Sequence, residues 1–273
     1  MKKNKNLVLV TNDTLLDRLK KECKESSTTF LFPIEGFCVG IPKTFKIEEI
    51  EEEGFIFINR LLDKEGILEF KSLLASLPNN IKGIVFDDIG ILNILLETKS
   101  KLAKILYLSH SNCNYESINA FLEYVDSVVI STDITTSETK EILKKAKKPL
   151  VVYSFGHVGI MYSRRTLLSN YNNHFSTNIN NEVTLKESMS KKEVKAIENI
   201  YGTVIYTNRP FNNLKLRNED NILYNLINSI FISDEEIINV INSEDDMDNI
   251  YPYKYLSEEE TIFRIKEEQT WKN

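Results

Sequence analysis

A histidine that ends an apolar run and leads into clustered tyrosine and arginine can move protons beside an anion-binding fork. The chain holds such a set between Pro149 and Asn173. The run Pro149-Leu-Val-Val-Tyr153 breaks at Ser154-Phe-Gly-His157 and continues into Tyr162-Ser-Arg-Arg165. His157 titrates near neutral pH. Arg164 and Arg165 offer planar forks for a carboxylate or phosphate, and Tyr162 offers a ring for stacking. Gly156 lets the backbone turn sharply or approach a ligand closely. Ser163 is a formal nucleophile, but no nucleophile elbow surrounds it. His110, Asn59 and Asp88 follow other apolar runs and join the candidates. Each has a bland alternative: a structural hydrogen bond for the histidines, a turn or helix cap for Asp88, and snorkelling cover for the arginines. Asp87-Asp88 resembles an acid/base pair. Neighbours on a strand point to opposite faces, however, so one of the two is expected to cap a helix starting near Gly90.

Strands must bring these residues together. Strand-like runs occur at Leu7–Val10, Thr29–Phe32, Phe55–Asn59, Gly83–Phe86, Ile105–Leu108, Ser127–Ile130, Leu150–Tyr153 and Ser229–Ile232. The first seven recur every 22 to 28 residues or so, roughly the length of one strand plus one crossover helix. Asp63–Leu77 and Thr136–Lys145 carry apolar residues at helical spacing. The pattern predicts an α/β fold, a (β/α)8 TIM-like barrel in a single domain over 1–273. An open doubly wound sheet is the alternative, but Thr11-Asn-Asp-Thr after the first strand is not a glycine-rich turn. An insertion over about 158–226 separates the seventh and eighth strands and contains a β-hairpin, Glu193–Ile197 with Thr203–Tyr206. The acidic run Glu48–Glu53 is expected to be a solvated helix face. Leu256–Asn273 is expected to be a docking amphipathic helix.

The chain has 273 residues and a formal net charge of −6, so no global basic field favours nucleic acid or membranes. RNA is the weaker partner class on that ground. No apolar run approaches the length of a membrane span, and Leu7–Val10 is too short for a signal-peptide core. Three widely spaced cysteines form no disulfide framework, which predicts a cytoplasmic protein. Three cysteines also cannot supply four thiolate ligands within one chain. No metal site and no cofactor is expected.

Tyr162-Ser-Arg-Arg165 after a strand ending in Gly-His resembles the signature of the collagenase-like peptidase family, number thirty-two of the "U" peptidases. Asp88-Ile-Gly90, Ser109-His-Ser-Asn112, Asp133 and Tyr201-Gly-Thr203 resemble further landmarks of that family, in order, over roughly residues 80–210. Val151 and Thr166 depart from it, standing where the family usually has Glu and Cys. Some members act in anaerobic ubiquinone or RNA-base hydroxylation and carry a cysteine cluster that this chain lacks. The resemblance implies an enzyme or enzyme partner binding a small carboxylated or aromatic ligand at the barrel's carboxyl face. His157, His110 and Ser163 would be the catalytic candidates. Tyr162, Arg164, Arg165, Asn59 and Asp88 would be the binding candidates. Two alternatives stand beside it: a non-catalytic scaffold paired with a cluster-bearing relative, and a peptidase acting through an unrecognised site on a peptide ligand.

Overall fold

The computed structural model describes residues 5–23, 28–108, 111–186, 188 and 191–243. Seven strands appear where apolar runs predict them: β1 (Lys5–Leu9), β2 (Thr28–Pro33), β3 (Gly54–Ile58), β4 (Ile81–Phe86), β5 (Ala103–Leu106), β6 (Ser127–Ile130) and β7 (Leu150–Gly156). Then come β8 (Gly159–Ser163), β9 (Glu182–Lys186), β10 (Glu193–Asn199), β11 (Gly202–Thr207), β12 (Phe211–Asn212) and β13 (Ile222–Asn228). Strands β1 to β7 pair in parallel in sequence order, and β13 pairs in parallel with both β7 and β1. The sheet therefore closes into an eight-stranded TIM-like barrel, with no open edge among these strands.

The eighth strand is not Ser229–Ile232. That segment is a turn, with Ile232 N–H donating to Ser229 O at 3.0 Å and Phe231 at φ 62°. The strand lies just before it, at Ile222–Asn228. Asn225 interrupts the apolar pattern there. It is buried and satisfied, accepting from Ser154 Oγ at 3.0 Å and donating to Arg217 O at 3.1 Å.

Helices α1 (Asp13–Glu22), α2 (Lys64–Ser76), α3 (Ile89–Glu97), α4 (Tyr115–Phe121) and α5 (Thr136–Lys145) supply crossovers, α6 (Leu167–Phe175) lies after β8, and α7 (Asp234–Asn242) follows β13. Side chains beyond strand ends start several of them. Asn12, Asp63, Asp88, Asn114 and Thr135 each accept a backbone N–H in the first turn. The link from β2 to β3 has no α-helix. The acidic segment is a loop with one 3-10 turn, Ile47–Glu49, pinned by buried Ile47 and Ile50, which corrects the expected helix face. Leu256–Asn273 lies outside the described residues.

Strand alternation divides the apolar residues into two cores. Val8, Phe32, Ile56, Ile84 and Phe86 face the helices. Leu7, Leu9, Leu31, Phe55, Val85, Ile105, Val129 and Val151 fill the barrel. Val151 is thus part of an apolar interior layer rather than a chemical group. Between β7 and β13 the chain builds more than a hairpin: an antiparallel four-stranded sheet in the order β8-β11-β10-β9.

Candidate functional site

Parallel strands deliver the residues that follow them to one end of the barrel. Here those residues include Asn59 after β3, Asp87 after β4, Tyr107 after β5 and Asn228 at the end of β13. The second sheet covers this end. Gly159 to Tyr162 of β8, with Val204 and Tyr206 of β11, line its inner side. Between the barrel mouth and this roof lies a cavity of about 400 Å³.

Several contacts hold the roof in place. Tyr206 Oη donates to Gly40 O at 2.6 Å, and Asn199 Nδ2 donates to Cys38 O at 2.9 Å. The Arg60 guanidinium stacks 4.1 Å over the Tyr201 ring and donates to Gly36 O at 2.8 Å. Gly40 has φ +69°, and a Cβ there would sit 2.4 Å from Val204 Cβ, so the roof rests directly on backbone. Asn59 braces the same loop: it donates to Val39 O and accepts from Val39 N, both at 2.9 Å.

Asp87 and Asp88 have separate jobs. Asp88 accepts from Gly90 N at 2.6 Å and from Leu62 N at 2.7 Å, so it caps α3 and ties the β3–α2 loop. Asp87 lines the cavity. Its Oδ1 is closed to solvent and has no hydrogen-bond partner among the described residues. Burial pushes the Asp87 carboxyl up to about 8, aided by the Asp88 charge and opposed by the Leu108 backbone N–H. Tyr162 Oη is likewise closed off without a hydrogen-bond partner among the described residues. Burial raises the Tyr107 and Tyr206 hydroxyls far above their usual range, so both stay neutral.

The predicted site residues divide into two groups. Tyr162 and Asn59 line the cavity. His157 lies at the same end, but not among the lining residues. Its Nδ1 is 2.7 Å from Thr207 O, which can only accept, so Nδ1 carries the proton. Its ring packs edge-on against Phe231 at 5.5 Å, and burial pulls the imidazole down to about 4. Ser163 Oγ accepts from Arg165 N at 3.1 Å. Arg164 pairs with Asp63 at 3.1 Å on the surface. Arg165 is exposed and is not among the residues that line the cavity. His110 lies outside the described residues. Asp87 was legible only as half of an acidic pair. The signal for it was the alternation rule, which sends one of two neighbours inward.

Burial pushes the Cys38 thiol up to about 12, and its Sγ donates to Phe57 O at 3.0 Å. Among the described residues no three His, Cys, Asp or Glu side chains gather as a metal site. No described helix is long and apolar enough to cross a membrane.

A closed parallel barrel with polar side chains at its carboxyl mouth and a β-sheet roof over them is the class of TIM-like barrel proteins whose sites lie on that face. Residues 43–182, just over half of the chain, match peptidase family U32, and the chain belongs to that family. The solved structure of the U32 peptidase Mk0906 is similar, with a TM-score of 0.52 and 12% identity over 84% of this chain and 93% of that chain. That likeness is one of fold. The C-terminal domain of a putative chitinase from Desulfitobacterium hafniense DCB-2 overlaps with a TM-score of 0.42 and 9% identity over 88% of this chain and 99% of that chain, too loosely to carry an argument. No curated protein matches the chain significantly.

Proposed function

We propose that the chain binds one small organic molecule, aromatic rather than carboxylated, beneath the roof at the barrel's carboxyl face. The observation that carries this is the cavity of about 400 Å³ at that face, within the usual range for a small-molecule site. Its walls pair apolar surface from Leu9, Ile41, Phe57 and Met161 with polar groups from Asp87 and Asn228. None of the described lining residues is Lys or Arg, so a carboxylated ligand would find no charge partner among them. This favours an enzyme or binding protein over a scaffold with a blocked mouth. Proteolysis gains no support from the described groups, because the Ser163 hydroxyl and the His157 ring each have other partners.

The test is thermal denaturation with a panel of small aromatic compounds, on the parent and on Ile160→Trp, which fills the cavity from the roof side. A bound compound at a hundred times its Kd stabilises the fold by about 2.7 kcal/mol. The expected result is stabilisation of the parent alone. Equal stabilisation of the folded Ile160→Trp variant would place binding elsewhere and overturn this function.

A further inference from the structure

We propose that Asp87 is the counter-ion for a positively charged organic ligand held against the rings of Phe57, Tyr107 and Tyr162. The inference rests on the roofed cavity being the ligand site, and it names the ligand's charge. The first observation is a carboxyl group in a cavity wall, one oxygen of which is closed to solvent and has no hydrogen-bond partner among the described residues. A buried carboxylate normally has a cation or several donors, and the described lining residues contribute no Lys or Arg. The second is the wall around it. Phe57 and Tyr107 meet edge to face at 5.6 Å, and Tyr162 lines the cavity from the roof. Aromatic faces with one carboxylate are the usual recognition chemistry for organic ammonium groups.

The described titratable groups around it leave this role to Asp87. Tyr107, Tyr162 and Tyr206 are held neutral by burial, and so is the Cys38 thiol. Asp88 from the same turn is occupied as a cap by two backbone N–H groups. Without a ligand the Asp87 carboxyl keeps its proton up to about pH 8. A cation must displace that proton, so cation binding and deprotonation are coupled.

Isothermal titration calorimetry with three benzyl probes tests this. They are benzyltrimethylammonium, whose charge does not change with pH, benzyl alcohol and benzoate. The expected order has the cation tightest and benzoate weakest. Affinity for the cation should rise up to tenfold per pH unit between pH 6 and pH 8, then level off. Asp87→Asn should lower it at least tenfold at pH 8 and flatten the pH profile. The pH profile of the parent stands even if that variant fails to fold. Cation affinity that is flat or falling between pH 6 and pH 8 overturns the proposal, as does affinity no greater than that for benzyl alcohol. If benzyl alcohol still binds and Ile160→Trp abolishes it, the cavity function survives while the counter-ion role falls. Binding of none of the three probes sinks both.

Discussion

At the scale of single residues, two buried titratable groups pull stability in opposite directions with pH. His157 is 2% exposed and stays neutral down to about pH 4 in the folded chain, whereas a free histidine protonates near 6.5. Between those values the unfolded chain binds the extra proton, so acidification through that window destabilises the fold. The loss is on the order of 3 kcal/mol, and His157→Gln should remove the slope between pH 6.5 and pH 4 in denaturant titrations. Asp87 works the other way. Its folded carboxyl holds a proton to about pH 8, while the unfolded one loses it near 4. Its contribution is fully present below pH 4 and is lost as the pH rises to 8. Asp87→Asn should therefore match the parent near pH 4 and exceed it at pH 9. The gain should be roughly 1–2 kcal/mol, discounted because the carboxyl lines a cavity that water can enter. A parent Tm that falls no faster than the variant's between pH 5 and pH 8 would contradict the burial described for Asp87.

At the scale of elements, the turn from β7 into β8 makes the sharpest demand. Gly156 has φ +125°, and a Cβ there would lie 2.2 Å from Asn228 O. Gly159, three residues on, would place its Cβ no closer than 3.5 Å from Val204. Gly156→Ala should cost at least about 3 kcal/mol and give largely insoluble protein, whereas Gly159→Ala should stay within about 1 kcal/mol of the parent. Seven barrel strands were legible because interior and helix-facing positions are both apolar, which makes each a continuous run. The eighth was not, because Asn225 breaks its run and the apolar segment after it is a turn. The hairpin β10–β11 was legible from its two β-like runs. The partner β8 was not, since Tyr162-Ser163 reads as a polar rim rather than a strand. Asp88 as a cap was legible from its position before Gly90. That Tyr162 lines the cavity while Arg165 is not among its lining residues was not, because it depends on how β8 lies across the mouth.

At the scale of the whole molecule, the Tyr162-Ser-Arg-Arg165 run and the cavity converge on one region. Tyr162 of the Tyr-Ser-Arg-Arg run is a roof strand residue that lines the cavity, and Arg164 beside it ties the roof to Asp63 of the barrel. The Tyr162-Ser-Arg-Arg165 run therefore lies at the seam between the barrel and its cover. The roof is also spliced into the barrel: it leaves after β7 and returns before β13, which sits between β7 and β1.

That placement has a consequence during synthesis. The ribosome releases β1 and β7 long before β13, so the nascent chain carries two raw sheet edges that no earlier described strand covers. Strand β13 acts as a zip between them. A chain cut at Asp220 should expose both edges and aggregate when expressed alone. Supplying residues 221–273 in trans should restore solubility if the zip can close from a separate piece. A soluble, monomeric 1–220 fragment would mean that some other segment shields those edges while the chain waits for β13.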